Sequence, residues 1–180
     1  MCRTPIPLRA LAGQAVWVVG PGSPIDDSCL ICREHGGLIE VPGGLLEDGE
    51  ALTFHCPPMG DGAYAGHLLV TSRRHAPDFA ALDPAEAGAI GLAISKYSGG
   101  LKSLGATHVY VATIGHHVDH LHVHLLPRWP ETPSEVAWHA VDDWPGARRL
   151  DAAGIVTLIA NLTSAIDDGS PPSSPPAAAP

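Results

Sequence analysis

A chain of 180 residues, 45% hydrophobic and 16% charged, is long enough for a single domain with a buried core. A formal net charge of −9 with histidine neutral excludes a general nucleic-acid binder, which needs a basic surface to displace counterions. A small anionic ligand stays open, because a few local cations such as Arg73, Arg74 or Arg128 suffice for one.

The opening MCRTPIPLRALAGQ lacks a continuous apolar stretch, so no signal peptide is expected. The chain also has no apolar run of about 18 residues, so no membrane span is expected. A cytoplasmic location follows as the expectation. Cys2, Cys29, Cys32 and Cys56 are then thiols or metal ligands rather than disulfides.

Residues 1–28 read as an N-terminal arm with a short strand at AVWVV, 15–19. LIEV (38–41) and ALTFHC (51–56) read as strands around the turn-rich PGGLLEDGE. HLLVT (67–71) is a short apolar run that suits a buried strand. Asp83-Pro84-Ala85-Glu86 combines a capping aspartate, a first-turn proline and a glutamate at the capping-box position. Ile90, Ile94, Tyr97, Leu101 and Leu104 continue it as one face of a helix of about five turns. Gly99-Gly100 weakens that helix near its end.

THVYVAT (107–113) is a β-branched strand, and HLHVHLL (120–126) is the next, with Pro127 closing it. An irregular excursion over 129–149 carries Trp129, Trp138 and Trp144. Asp151 caps a last helix with Ile155, Ile159, Leu162 and Ile166 as its buried stripe. The Pro/Ser/Ala-rich tail, 168–180, has almost nothing to bury and is expected to be disordered. Strands surround one long helix without regular βαβ alternation. The expected class is α+β, with a mostly antiparallel sheet of about five strands, one long helix and a C-terminal helix.

Five of the 11 histidines fall between His116 and His124. On a strand, His120, His122 and His124 share one face while Leu121, Val123 and Leu125 point the other way. A surface tract or three hydrogen-bonded core histidines would be the plain explanation, but register and number favour chemistry. Neutral imidazole serves as metal ligand, general base or nucleophile. A cupin-type metal site needs a nearby glutamate, and Glu131 lies too far on, across Pro127 and Pro130. Attack on phosphorus needs one ring nitrogen free and the other holding its proton, which a backbone carbonyl could fix. Neighbouring imidazoles could then serve the phosphate and leaving group.

HLHVHLL followed by Pro127-Arg128, GHLLVTSRRH (66–75) and CLIC (29–32) together resemble the hallmarks of the histidine triad (HIT) family, in the usual order. The resemblance spans about Cys29 to Arg128 and implies a HIT-like domain over 29–167, usually dimeric. It implies hydrolysis or transfer of nucleoside 5′-monophosphate groups on phosphoramidates, anhydrides or esters. His122 matches the middle, nucleophilic histidine, and His124 the one that contacts phosphate. His67 would face the same pocket. The bacterial branch holds a structural zinc, whose ligands map to Cys29, Cys32, His75 and His120; the tetrahedral two-thiolate, two-imidazole set suits a closed zinc site. His35 competes for one of those places. A thioredoxin-like reading of Cys29 and Cys32 fails, because REHGG is no helix start.

Several positions depart from the family pattern. His116-His117-Val118 stands where many members have Gln-Ser-Val, so either histidine could donate to the scissile phosphate. Thr113 is the polar residue nearest a usual asparagine. Cys56 stands where an aspartate near the ribose is common. The tryptophans of the excursion either offer a stacking platform or pack it onto the domain or a dimer partner.

The expected function is a nucleotide phosphohydrolase or nucleotidyl transferase with a nucleotidyl-histidine intermediate. His122, His124, His117 and His116 would be catalytic, and His67, Thr113 and Arg128 would bind substrate. Expected partners are a small nucleotide or phosphate substrate and a second copy of the chain, with no nucleic acid and no membrane. A non-catalytic nucleotide- or metal-binding module on the same fold is the alternative, and a redox metalloenzyme a third.

Overall fold

The computed structural model describes residues 28–168. The strand expected at 15–19, Cys2 and the tail from 169 lie outside the described residues. The fold is α+β. Five strands form one antiparallel sheet: β1 (Leu46–Asp48), β2 (Ala51–His55), β4 (Leu68–Ser72), β5 (His108–Ala112) and β6 (His122–Arg128). They run in the order β1-β2-β4-β6-β5. Two short strands, β3 (Ala63–Tyr64) and β7 (Arg149–Leu150), pair separately. The helices are α1 (Leu30–His35), α2 (Pro84–Ser103) and α3 (Ala152–Asp167).

Strand register sorts the side chains. Val70 faces Val123 and Leu68 faces Leu125 across β4 and β6. These four are buried and pack with Ile90, Tyr97 and Leu101 of α2 and with Ile155 and Leu162 of α3. The intervening partners, Leu69 opposite His124 and Thr71 opposite His122, lie on the other face of the sheet. α2 covers the first face. α1 lies on the second, where the His35 ring meets Phe54 at 6.2 Å.

The Asp83 start behaves as expected. Its side chain accepts from the N–H groups of Ala85 and Glu86, and the Glu86 carboxylate accepts from the Asp83 N–H. Asp151 caps α3 through the Gly154 N–H. Gly100 has a packing reason: a Cβ there would lie 2.7 Å from Leu162 and 2.9 Å from Ile166, where α3 crosses α2.

Three expectations need correction. LIEV is no strand, because the Leu38 and Ile39 N–H groups both turn back to the Arg33 carbonyl at the end of α1. α1 was not visible in the pattern; it is a single short helix of six residues capped by Cys29. Pro127 does not close β6 but lies within it, opposite Val109. Arg128 turns its carbonyl to the Thr107 N–H on the β5 side, so Pro127 points the opposite way. There β4 has no residue beyond Leu68 in the ladder, and the Pro127 carbonyl accepts from the Tyr64 hydroxyl at 2.7 Å. The missing N–H therefore costs the sheet no hydrogen bond.

Among the described residues, no helix is long and apolar enough to cross a membrane.

Candidate active site and metal centre

The triad occupies the start of β6 and the residues just before it. Each ring is held differently. His122 donates its Nδ1 proton to the His120 carbonyl at 2.6 Å, which leaves Nε2 with its lone pair free. His124 Nδ1 and His67 Nε2 share a hydrogen bond at 2.9 Å. The His122 and His124 rings lie 5.1 Å apart. Burial lowers the pKa of His124, and the neighbouring His122 adds to the effect. Burial pulls His67 down to about 3, reinforced by His124 and His55.

His120 turns to a different task. Its Nε2 donates to the Ser72 carbonyl at 2.8 Å, so the Nδ1 lone pair points at the thiols. Burial lowers its pKa to about 4, against the opposing pull of that carbonyl. His120 Nδ1 lies 3.6 Å from Cys29 Sγ and 3.4 Å from Cys32 Sγ, and His75 Nδ1 lies 3.3 Å from Cys32 Sγ. All four ligand atoms lie within 4.8 Å of one another. A tetrahedral zinc with its usual bond lengths holds sulfur and nitrogen roughly 3.5 Å apart. The donor set and spacing therefore fit zinc.

His35 is not a competing ligand. The Thr71 hydroxyl donates to the Leu52 carbonyl at 2.9 Å, so it can only accept from His35 Nε2, at 3.0 Å. The sequence reading passed over two other groups. His55 is wholly buried, donates from Nδ1 to the Cys56 carbonyl and accepts the Gly66 N–H at Nε2. Glu34 is 4% exposed and burial pushes it up to about 7. Neither residue belongs to a periodic pattern that could reveal it.

Gly66 shows why the strand entering β4 begins with glycine. Its φ is +80°, and a Cβ would lie 2.9 Å from Pro127 and 3.1 Å from Trp129.

The other named residues are dispersed. Thr113, His116 and His117 stand exposed on the loop between β5 and β6. Arg128 is held at the far end of β6, its guanidinium donating to the Val136 and Pro133 carbonyls. Arg73 and Arg74 are paired with Glu47 and Glu86. Trp129 is buried, donates to the Ala65 carbonyl and lies under Arg148, so it packs the excursion onto the core.

An antiparallel sheet that carries His-x-His-x-His on one strand, with a two-cysteine, two-histidine cluster beside it, defines a triad-type site of the α+β class. The HIT domain family model matches residues 50–131 of this chain. A comparison with curated proteins finds no match. The fold is similar to that of a hypothetical histidine triad nucleotide-binding protein from Sulfolobus tokodaii strain 7. That match has a TM-score of 0.61 at 18% identity, over 78% of this chain and 93% of the other. It is similar also to a Zn-bound histidine triad family protein from Mycobacterium smegmatis, with TM-score 0.60, 20% identity, and 79% and 98% coverage. A Hit-like protein involved in cell-cycle regulation from Bartonella henselae gives 0.57, 18%, 78% and 97%.

Proposed function

We propose that this chain is a nucleotide phosphohydrolase or nucleotidyl transferase that works through a nucleotidyl-histidine. The observation that carries the reading is the bond from His122 Nδ1 to the His120 carbonyl. It fixes the tautomer that a nucleophile needs. His122 Nε2 attacks phosphorus, the bond to the leaving nitrogen or oxygen breaks, and its electron pair departs with the leaving group. Water then attacks phosphorus, the P–N bond to His122 breaks, and the ring recovers its lone pair. His124, tied to His67 through Nδ1, offers its other ring edge to the phosphate oxygens. In this reading His116, His117 and Thr113 would serve the leaving group from their loop, whose Val118 packs on Cys29, Ile31 and Cys32. Arg128 is left out of this reading, because its donors are committed to carbonyls.

Cys29, Cys32, His75 and His120 would hold zinc, which supplies a closed crosslink between α1 and the triad.

The test is release of AMP from an adenosine phosphoramidate. His122→Ala is expected to lower turnover by about 10⁴-fold or more, with melting temperature and zinc content unchanged. Retained turnover in that variant would remove the mechanism. Tight nucleotide binding without turnover by the wild type would favour the non-catalytic module.

A further inference from the structure

His55 is a buried imidazole to which the proposed chemistry gives no task. Opposite Leu68 in the register of β2 and β4, it points to the face that packs under α2, and none of it is exposed. Two backbone groups fix its state. Nδ1 donates to the Cys56 carbonyl at 2.7 Å, so the neutral ring keeps a lone pair at Nε2. That lone pair accepts the Gly66 N–H at 3.0 Å.

Gly66 belongs to the turn that delivers His67. The His67 N–H donates to the Tyr64 carbonyl at 3.1 Å, and Gly66, in the third position of the turn, has a φ of +80°. This is the type II pattern. In the type I alternative the peptide between Ala65 and Gly66 is turned over, and its N–H and carbonyl point the opposite ways. Glycine accepts either form, so partners outside the turn decide between them. Both groups of that peptide are held: His55 accepts its N–H, and the Trp129 ring N–H donates to its carbonyl at 2.9 Å. Tyr64, Ala65 and Gly66 are all buried, so water is no substitute for the imidazole. An apolar residue in place of His55 would strand the N–H and favour the flipped turn.

The consequence falls on the other face of the sheet. His67 follows Gly66 directly, and its carbonyl accepts the Cys56 N–H at 2.8 Å. The backbone of His67 is therefore held from Gly66 on one side and from Cys56 on the other, and His55 bonds to both residues. From there His67 Nε2 meets His124 Nδ1 at 2.9 Å, the contact that orients the phosphate-facing histidine of the reading above. A hydrogen bond of that length tolerates little movement of either ring.

We propose that His55 is a positioning residue for the triad: from the core side of the sheet it locks the 64–67 turn in the type II form, which aims His67 at His124. The role of His124 rests on the nucleotide reading, but the lock itself needs no ligand. It also accounts for an imidazole at a core position that an apolar side chain would ordinarily fill.

The test combines kinetics and NMR on the full-length wild type, His55→Leu, His55→Asn and His55→Gln. The NMR probe is the scalar coupling between His67 Nε2 and His124 Nδ1 across their hydrogen bond, read with isotope-labelled histidine. Leucine offers neither partner, asparagine is too short to reach Gly66, and glutamine can place its carbonyl oxygen where Nε2 stood. His55→Leu and His55→Asn are expected to lose the coupling and to lower kcat on an adenosine phosphoramidate by about 10- to 100-fold, with KM within about threefold. His55→Gln restores the coupling and brings kcat to within about threefold of wild type. Should the leucine variant not fold, the asparagine variant carries the comparison. A role confined to stability would lower the melting temperatures of both yet leave coupling and kcat, measured well below melting, at wild-type levels; that result overturns the proposal. Equal loss in all three variants, or loss of the coupling with kcat unchanged, overturns it too. If the wild type releases no AMP, the nucleotide reading fails and the coupling alone decides. Its loss with leucine and asparagine and retention with glutamine then uphold the lock, and any other pattern overturns it.

Discussion

At the residue scale, the site depends on keeping several imidazoles uncharged. His67 faces His124 and His55, and burial holds it down to about 3, well below the ordinary histidine value near 6.5. His55 and His124 are lowered in the same direction, chiefly by burial. Because these folded-state values lie below the unfolded ones, the unfolded chain binds more protons once pH falls under about 6.5. The stability each histidine contributes is complete above that pH and is lost as pH drops toward its folded value. For His67 that window runs from about 6.5 down to about 3. Each such histidine adds a slope of roughly 1.4 kcal/mol per pH unit within its window. The melting temperature should therefore fall between pH 7 and 5, and His67→Asn should flatten that fall. An identical acid profile in wild type and variant would contradict the assignment. The alternation of His120, His122 and His124 with apolar residues made the triad face legible in sequence. The carbonyl that fixes His122 was expected as a type of partner, but its identity needed the backbone path. Glu34 and His55 were not legible, because nothing in a linear pattern distinguishes a buried acid or imidazole from an exposed one.

At the element scale, α1 is the part most dependent on the proposed metal. Cys29, Ile31 and Cys32 form a small cluster of their own, apart from the main core, with Val118 packed on it. Six residues are too few to hold a helix by propensity alone. The two-cysteine, two-histidine cluster therefore ties α1, and through Val118 the loop carrying His116 and His117, to the sheet. Chelation of zinc should cost several kcal/mol and lower the melting temperature. Hydrogen exchange should then show residues 29–39 and 113–121 losing protection before β2, β4 and β6. Uniform loss of protection across the sheet, or none at all, would contradict this division. α2 and α3 were readable because Asp83 and Asp151 cap them by local chemistry and their apolar stripes meet one core. α1 escaped notice since its cysteines meet residues distant in sequence, His75 and His120. LIEV looked like a strand by composition, yet the end of α1 takes its N–H groups first.

At the scale of the whole molecule, one sheet divides the work between its faces. The face under α2 and α3 carries the apolar core and holds β4 and β6 in register. The opposite face presents the triad, with the two-cysteine, two-histidine cluster beside it. A chain of net charge −9 thus gathers the imidazoles of His67, His122 and His124 on one face. The α+β class and the order of the hallmark strands followed from alternation, capping and turn residues. The roles of Arg128 and Trp129 did not, because a strand-end arginine and a loop tryptophan read alike whether they hold a ligand or a loop. The central claim concerns a single atom, His122 Nε2. Intact mass spectrometry of protein quenched soon after mixing with an adenosine phosphoramidate tests it most directly. The account predicts one adenylyl group per chain, located on His122 and absent from His122→Ala; AMP release with no adduct, or an adduct on another residue, would contradict it.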